Sequence, residues 1–152
     1  TTMKSVEHTL AFELQQPVSE VFPLFSPEGE KYWVPGWDYQ NVMGTTELFE
    51  DYVFLTNSHD HGTTVAIWLV KRFDPETHTI EYYKVEPDDK IGLVRVCCVA
   101  QAAERTKVEV TYRYIALSKK AEDFISRFTA EAYKGFIGKW QILLSQYFAS
   151  KS

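Results

Sequence analysis

Cysteine, concentrated positive charge and long apolar runs are all scarce in this chain of 152 residues. The two cysteines, Cys97 and Cys98, are adjacent. Neighbours in a strand point to opposite faces, which argues against a bond between them. Two free thiols suit a reducing compartment, and nothing nearby in the sequence completes a metal or redox set. Lys and Arg number 16 against 21 Asp and Glu, a formal net charge of -5, and no basic run exceeds two residues. A nucleic-acid surface needs concentrated positive charge, so that class is set aside. No window approaches the roughly 20 apolar residues of a membrane-spanning helix. No charged-then-apolar leader opens the sequence, and no glycine-rich phosphate loop appears. No Ser/His/Asp or Cys/His arrangement marks a nucleophile. The expectation is a soluble, cytoplasmic protein, monomeric or homodimeric, with no cofactor.

What the chain has in quantity is rings: 10 Phe, 9 Tyr and 4 Trp, 15% of the residues, within a hydrophobic content of 45%. A single domain of this length buries a sizeable core, and the rings leave two readings open, a large solid core or a cavity that they line. Val6 to Leu14 alternates apolar and polar residues, the pattern of a half-buried strand. Pro17 opens a short helix through Val18, Val21, Phe22 and Phe25, which Pro23 keeps short. Ser26 to Glu30 breaks it, and a second short helix or turn runs through Lys31, Tyr32 and Trp33 to Pro35-Gly36. From Glu47 onward, strands recur at intervals of about a dozen residues with turn-rich joins, as in an antiparallel meander. They are predicted over 48–56, 63–73, 78–85, 91–101 and 107–117.

Ser118 to Ser150 reads as one amphipathic helix. Ala121, Phe124, Ile125, Phe128 and Ala132 recur at steps of three and four, as do Ile137, Trp140, Leu144, Tyr147 and Phe148. At 1.5 Å per residue it would run on the order of 45 Å. The apolar stripe turns by roughly 100° across Gly135 and Gly138, which predicts a bend there. The half with Phe128 and Ala132 would lid a cavity; the half with Trp140 and Leu144 would anchor the helix to the sheet. The fold class is α+β, one domain over 1–152. A curved antiparallel sheet of about six or seven strands wraps a long C-terminal helix, and two short helices follow the first strand.

That order, with particular residues, resembles the START/Bet v 1-like superfamily (SRPBCC, helix-grip proteins). The most specific stretch is Val21-Phe22-Pro23-Leu24-Phe25-Ser26-Pro27, running on to Glu30-Lys31-Tyr32-Trp33-Val34-Pro35-Gly36-Trp37. It is similar to a segment of small bacterial members near the polyketide cyclase/dehydrase group. Val53-Phe54-Leu55-Thr56, Trp68-Leu69-Val70 before Phe73-Asp74-Pro75, and the strand Thr106 to Leu117 add to the likeness. The resemblance implies a helix-grip fold with a cavity between sheet and helix. It does not fix a function, because the fold hosts carriers, receptors, cyclases and co-chaperone modules. Ser26 stands where many relatives carry Cys, so no role for a thiol transfers.

Several side chains are candidates for a site. Trp33 and Trp37 flank a Pro-Gly turn and either plug the sheet edge or rim an apolar pocket with their N–H groups as donors. Tyr112 and Tyr114 share the inward face of the last strand. On the superfamily layout Phe54, Trp68 and Tyr82 also look inward, where hydroxyls on apolar walls can orient a carbonyl or phenol. Arg95 lies in a strand apolar on both faces. It is either an ordinary surface cation or a buried one needing a carboxylate partner. Phe128 and Ala132 complete the ligand-binding set on the helix. His59-x-His61 beside Asp60 lacks the further ligands of a metal site, and His8 and His78 have no visible nucleophile partner.

Three functions compete. The first is binding of a small hydrophobic or aromatic molecule between sheet and helix. The second is a cyclase/dehydratase-like enzyme in which Arg95, Tyr112, Tyr114 or His8 transfers protons. The third is a partner-binding module using the strand of Trp68, which is apolar on both faces.

Overall fold

A computed structural model describes residues 4–57 and 65–151. The chain opens with strand β1 (Ser5–Leu14) and continues through helix α1 (Val18–Val21), a 3-10 turn (Phe22–Phe25) and helix α2 (Pro27–Glu30). Strands β2 (Tyr39–Asn41), β3 (Val53–Asn57), β4 (Val65–Asp74), β5 (Thr79–Glu86), β6 (Lys90–Ala102) and β7 (Arg105–Ala116) follow. Helices α3 (Lys119–Arg127) and α4 (Ala130–Lys151) close it. The strands form one seven-stranded antiparallel sheet in the order β1-β7-β6-β5-β4-β3-β2. Because β1 and β2 occupy opposite edges, the α1–α2 segment must carry the chain across the sheet. Register shifts between Val70 and Arg72 and between Ala100 and Ala102 mark β-bulges, the local feature that bends strands and increases twist.

The strand periodicity sorts the two faces. On β7, Val108, Val110, Tyr112 and Tyr114 are buried, while Arg113 is exposed. On β5, Ile80, Tyr82, Lys84 and Glu86 share the inner face by alternation. The helices close that face with Ile125, Tyr133, Ile137 and Leu144, each no more than 1% exposed. β2 is a strand of three residues that the hydrophobic pattern does not reveal, and β3 begins at Val53 rather than Leu48.

The predicted single helix with a bend at Gly135–Gly138 is not what forms. The break falls at Phe128 and Thr129, between α3 and α4. Phe128 has φ -85° and ψ 68°, outside the helical region, although its N–H still reaches the Ile125 carbonyl at 3.1 Å. His8 Nε2 donates to the Phe128 carbonyl at 2.7 Å, so β1 supplies a donor to a carbonyl the helix no longer uses. Thr129 then restarts the helix as its cap, its Oγ1 accepting from Ala132 N–H at 3.2 Å. Gly135 and Gly138 sit inside an unbroken α4, where an added Cβ would meet nothing within 4 Å. The change in stripe direction is therefore absorbed at the α3–α4 junction.

Candidate functional site

The inner face of the sheet packs against the two C-terminal helices largely through aromatic rings. Phe54 stacks on Trp68 at 5.4 Å, and Tyr82 meets both edge-on. Trp140 of α4 packs against Trp33, Phe25 and Tyr112 at 5.4, 6.0 and 6.0 Å. Toward the α3 end, Tyr114 meets Phe124 and Phe128 edge-on at 5.3 and 5.2 Å.

Trp33 and Trp37 owe their positions to a turn. Trp37 N–H bonds the Val34 carbonyl at 3.2 Å, with Pro35 and Gly36 between them and Gly36 at φ +70°. Pro then Gly with positive φ is the signature of a type II turn. Trp33 Nε1 donates to the Leu24 carbonyl at 2.7 Å, and Trp37 Nε1 to the Pro27 carbonyl at 2.9 Å. Both indole N–H groups thus fasten this turn to the α1–α2 segment, and neither is left to serve a ligand. That segment is itself tightly folded, since a Cβ on Gly29 would lie 2.1 Å from the Pro23 carbonyl oxygen.

Most inner polar groups are likewise spoken for. Tyr82 donates to the Phe25 carbonyl at 2.7 Å, Trp68 Nε1 to Thr56 Oγ1 at 2.9 Å, and Tyr133 to the Val110 carbonyl at 2.5 Å. Three groups differ. Among the described residues, no hydrogen bond or ion pair is made by the Glu30 carboxyl, the Tyr112 hydroxyl or the Trp140 indole N–H. Among the described residues, no fully buried side-chain nitrogen or oxygen lacks a partner. The Glu30 and Tyr112 oxygens, having none, therefore border space that a water-sized molecule can enter.

Glu30 keeps some accessible surface, yet burial pushes its carboxyl well above the usual carboxylate range, with the Lys84 charge pulling weakly the other way. Burial also raises Tyr112, which feels Tyr114, Glu30 and Tyr133; it raises Tyr82 too, which feels Glu30 and Tyr52.

A cluster of charges lies on the same face. Lys90 Nζ bonds Asp89 at 2.9 Å and Glu86 at 3.2 Å, and Lys84 Nζ reaches Glu86 at 3.2 Å. Lys84 sits 5.3 Å over the Trp68 ring, Lys90 4.4 Å over Phe124. Burial would lower Lys90, but the Asp89 hydrogen bond and the Glu86 charge outweigh it and hold the amine charged. Two lysines and two carboxylates therefore balance one another beneath α3.

Two predicted site residues lie elsewhere. Arg95 is exposed on the outer face, because strand alternation places it opposite Val94 and Val96. It edges a shallow, charged depression of about 190 Å³ with Glu7, Lys71, Glu81 and Arg113. Ala132 is exposed on the first turn of α4, since the Thr129 cap sets a helix phase that buries Tyr133 instead. Phe128 is half-buried at the junction, stacked on Phe124 at 5.6 Å. The His59, Asp60 and His61 turn lies outside the described residues. Among those described, no group of three or more His, Cys, Asp or Glu side chains is placed to hold a metal, and no helix is long and apolar enough to cross a membrane.

Glu30, Lys84, Tyr133 and Trp140, which the structure sets beside the inward rings, are not among the candidates read from the sequence. Lys84 was legible there, two residues after Tyr82 on the same strand face. Glu30 was not, because its stretch, Ser-Pro-Glu-Gly-Glu, reads as a polar breaker.

An antiparallel sheet gripping a C-terminal helix, with this element order, defines the helix-grip architecture of START and Bet v 1-like proteins, and the chain has that fold. Among solved structures it is similar to a START superfamily protein from Mycobacterium smegmatis, with a TM-score of 0.72, 11% identity, and 96% of this chain and 99% of that one covered. Major latex-like protein 151 of Panax ginseng gives 0.71 at 14% identity over 95% and 98%. A norcoclaurine synthase point mutant from Thalictrum flavum, in complex with a transition state analogue, gives 0.69 at 11% identity over 100% and 99%. By sequence, no family model and no curated protein matches.

Proposed function

We propose that the protein binds a small, predominantly aromatic molecule between the sheet and α4, in contact with Trp68, Tyr82, Tyr112, Tyr114 and Trp140. The observation that carries this reading is the pair of unpartnered polar groups, Glu30 and Tyr112, in an interior otherwise walled by rings. A ligand that supplies partners to these two groups gains hydrogen bonds of roughly 0.5–1.5 kcal/mol each. Apolar sites with a few convergent polar groups are the usual form of small-molecule pockets. The free Cys97 and Cys98 support a reducing, cytoplasmic setting. The test is titration with an uncharged hydrophobic dye, N-phenyl-1-naphthylamine, followed by native mass spectrometry. A saturable 1:1 complex is expected; a protein that takes up no dye contradicts the reading.

A second reading is a cyclase/dehydratase-like enzyme. Glu30 favours it, because burial raises its carboxyl above the usual carboxylate range, the direction that suits general acid work. It would replace Arg95, which faces away. Conversion of a poly-β-keto substrate that Glu30→Gln abolishes would select this reading over simple binding.

A further inference from the structure

The strand of Trp68 is apolar on both faces, and its outward side belongs to a wider pattern. An antiparallel sheet usually turns polar side chains to its wet face. Here the register sets two apolar rows across that face. Leu55 on β3, Ile67 on β4, Val85 on β5, Ile91 on β6 and Ile115 on β7 form one. Val53, Leu69, Tyr83 and Leu93 form the next, on β3 to β6. None of them is buried, and Ile67 is 37% exposed. A charged row borders the second: Lys71 and Arg72 beside the β4 bulge, Glu81 on β5 and Arg95 on β6. Lys71 and Arg72 reach Glu81 at 3.9 and 3.6 Å. Arg95 is the register partner of Glu81, yet its guanidinium makes no ion pair or hydrogen bond among the described residues.

Apolar rows behind a charged border have the form of an interface, with a dry centre and a polar rim. With strands about 4.8 Å apart and same-face residues about 6.7 Å apart, the three rows over five strands cover roughly 480 Å² in projection. Two such faces bury about 1,000 Å², the extent of a weak, reversible contact rather than an obligate one. The border holds both signs side by side, so a partner of one sign would answer only half of it. An isologous contact pairs a patch with itself, and so supplies both signs to each copy.

We propose that this face docks a second copy of the chain, sheet against sheet, in a two-fold dimer. An axis along the strands, between β5 and β6, keeps the rows in register and sets β5 on β6 and β4 on β7. Val85 of each copy then lies on Ile91 of the other, Ile67 on Ile115 and Tyr83 on Leu93. Arg113, the neighbour of Leu93 on β7, lays its aliphatic stem on Leu69. In the charged row, Glu81 of each copy faces Arg95 of the other, which gives that arginine a carboxylate. The inward rings lie on the opposite face of the sheet, so dimerisation and ligand uptake are separate properties.

The test is sedimentation velocity of the unaltered protein over a dilution series. It should show a reversible monomer–dimer equilibrium with a Kd on the order of 10–100 μM, as suits so small an interface. Arg95→Glu sets carboxylate against carboxylate, and Ile67→Lys puts a charge in the dry centre; each should weaken the dimer about tenfold or more. Both positions are exposed, and circular dichroism spectra matching the unaltered protein verify the fold. Adding Glu81→Arg to Arg95→Glu exchanges the two charges and should recover part of the loss. A chain that stays monomeric at about 1 mM would overturn the proposal without any variant. So would a dimer indifferent to Ile67→Lys and Arg95→Glu, or one that the double exchange leaves as weak as Arg95→Glu alone.

Discussion

Replacing Gly135 and Gly138 with alanine should make this protein more stable. Both glycines lie within α4, which is helical from Ala130 to Lys151 without interruption. Neither has a positive φ, and an added Cβ meets nothing within 4 Å at either position. Alanine therefore introduces no clash and no strain. The remaining terms are the backbone entropy that glycine loses on folding and its poor helix propensity, together about 0.8–1 kcal/mol per site. The two sites make no shared contact that alanine would alter, so the gains should nearly add, to about 2 kcal/mol. For a domain of this size 1 kcal/mol moves Tm by about 2–4 °C, so the double variant should melt about 4–8 °C higher by circular dichroism at 222 nm. A fall in Tm, or a loss of helical signal, would mean that α4 needs a bend at these glycines after all. The assignment of the hinge to Phe128 and Thr129 would then be wrong.

Three further outcomes are expected. Gly29→Ala should destabilise by about 3 kcal/mol or more in urea unfolding, because its Cβ would lie 2.1 Å from the Pro23 oxygen and 2.6 Å from Leu24 Cα, both backbone atoms; a near-neutral effect would show that the α1–α2 segment packs loosely. Tyr133→Phe should cost about 0.5–1.5 kcal/mol by removing the hydroxyl's bond to the Val110 carbonyl, which keeps its sheet partner, measured by the same unfolding curves, and no loss would show that the hydroxyl contributes nothing to stability. For pH, Glu30 has a folded value above its unfolded one, near 4.3; between the two the folded state holds more protons, so stability falls as pH rises from about 4 through the raised value. Glu30→Gln removes that fall, and parallel pH profiles for the two proteins would contradict the burial of this carboxyl.

Much of the architecture was legible because it follows from periodicity. The alternation of Val108, Val110, Tyr112 and Tyr114 against Lys107, Glu109, Thr111 and Arg113 set the two faces of β7, although Thr111 on the outer face is buried too, its hydroxyl 2.9 Å from that of Thr9 on β1. The helix stripe also carried real information, in that its two halves do point differently. What it lacked was the location of the break. Two glycines drew attention by propensity, while the actual junction is made by a threonine cap and by His8, distant in sequence but adjacent in space. The Arg-Phe-Thr-Ala-Glu stretch held a cap signal at Thr129, outweighed by the continuous apolar pattern around it. The site was less legible. The inward rings came from alternation, but Glu30 became visible only once α2 was seen to fold against Trp33 and the sheet interior. Arg95 showed the converse, a residue whose strand was apolar on both faces, so that no pattern could say which way it pointed.

The central claim is that the ring-lined interior, and no outer surface, is where a ligand sits. Titration with N-phenyl-1-naphthylamine, followed by ¹H–¹⁵N correlation spectra, tests it most directly. Trp140→Phe identifies the Trp140 indole signal, the N–H that has no acceptor among the described residues. Binding should move that signal and the amides of Glu30 and Tyr112 in a saturable way, while the amides of Arg95 and Arg113 on the outer face stay fixed. Shifts confined to Arg95, Arg113 and their neighbours, with the Trp140 indole unmoved, would contradict the account.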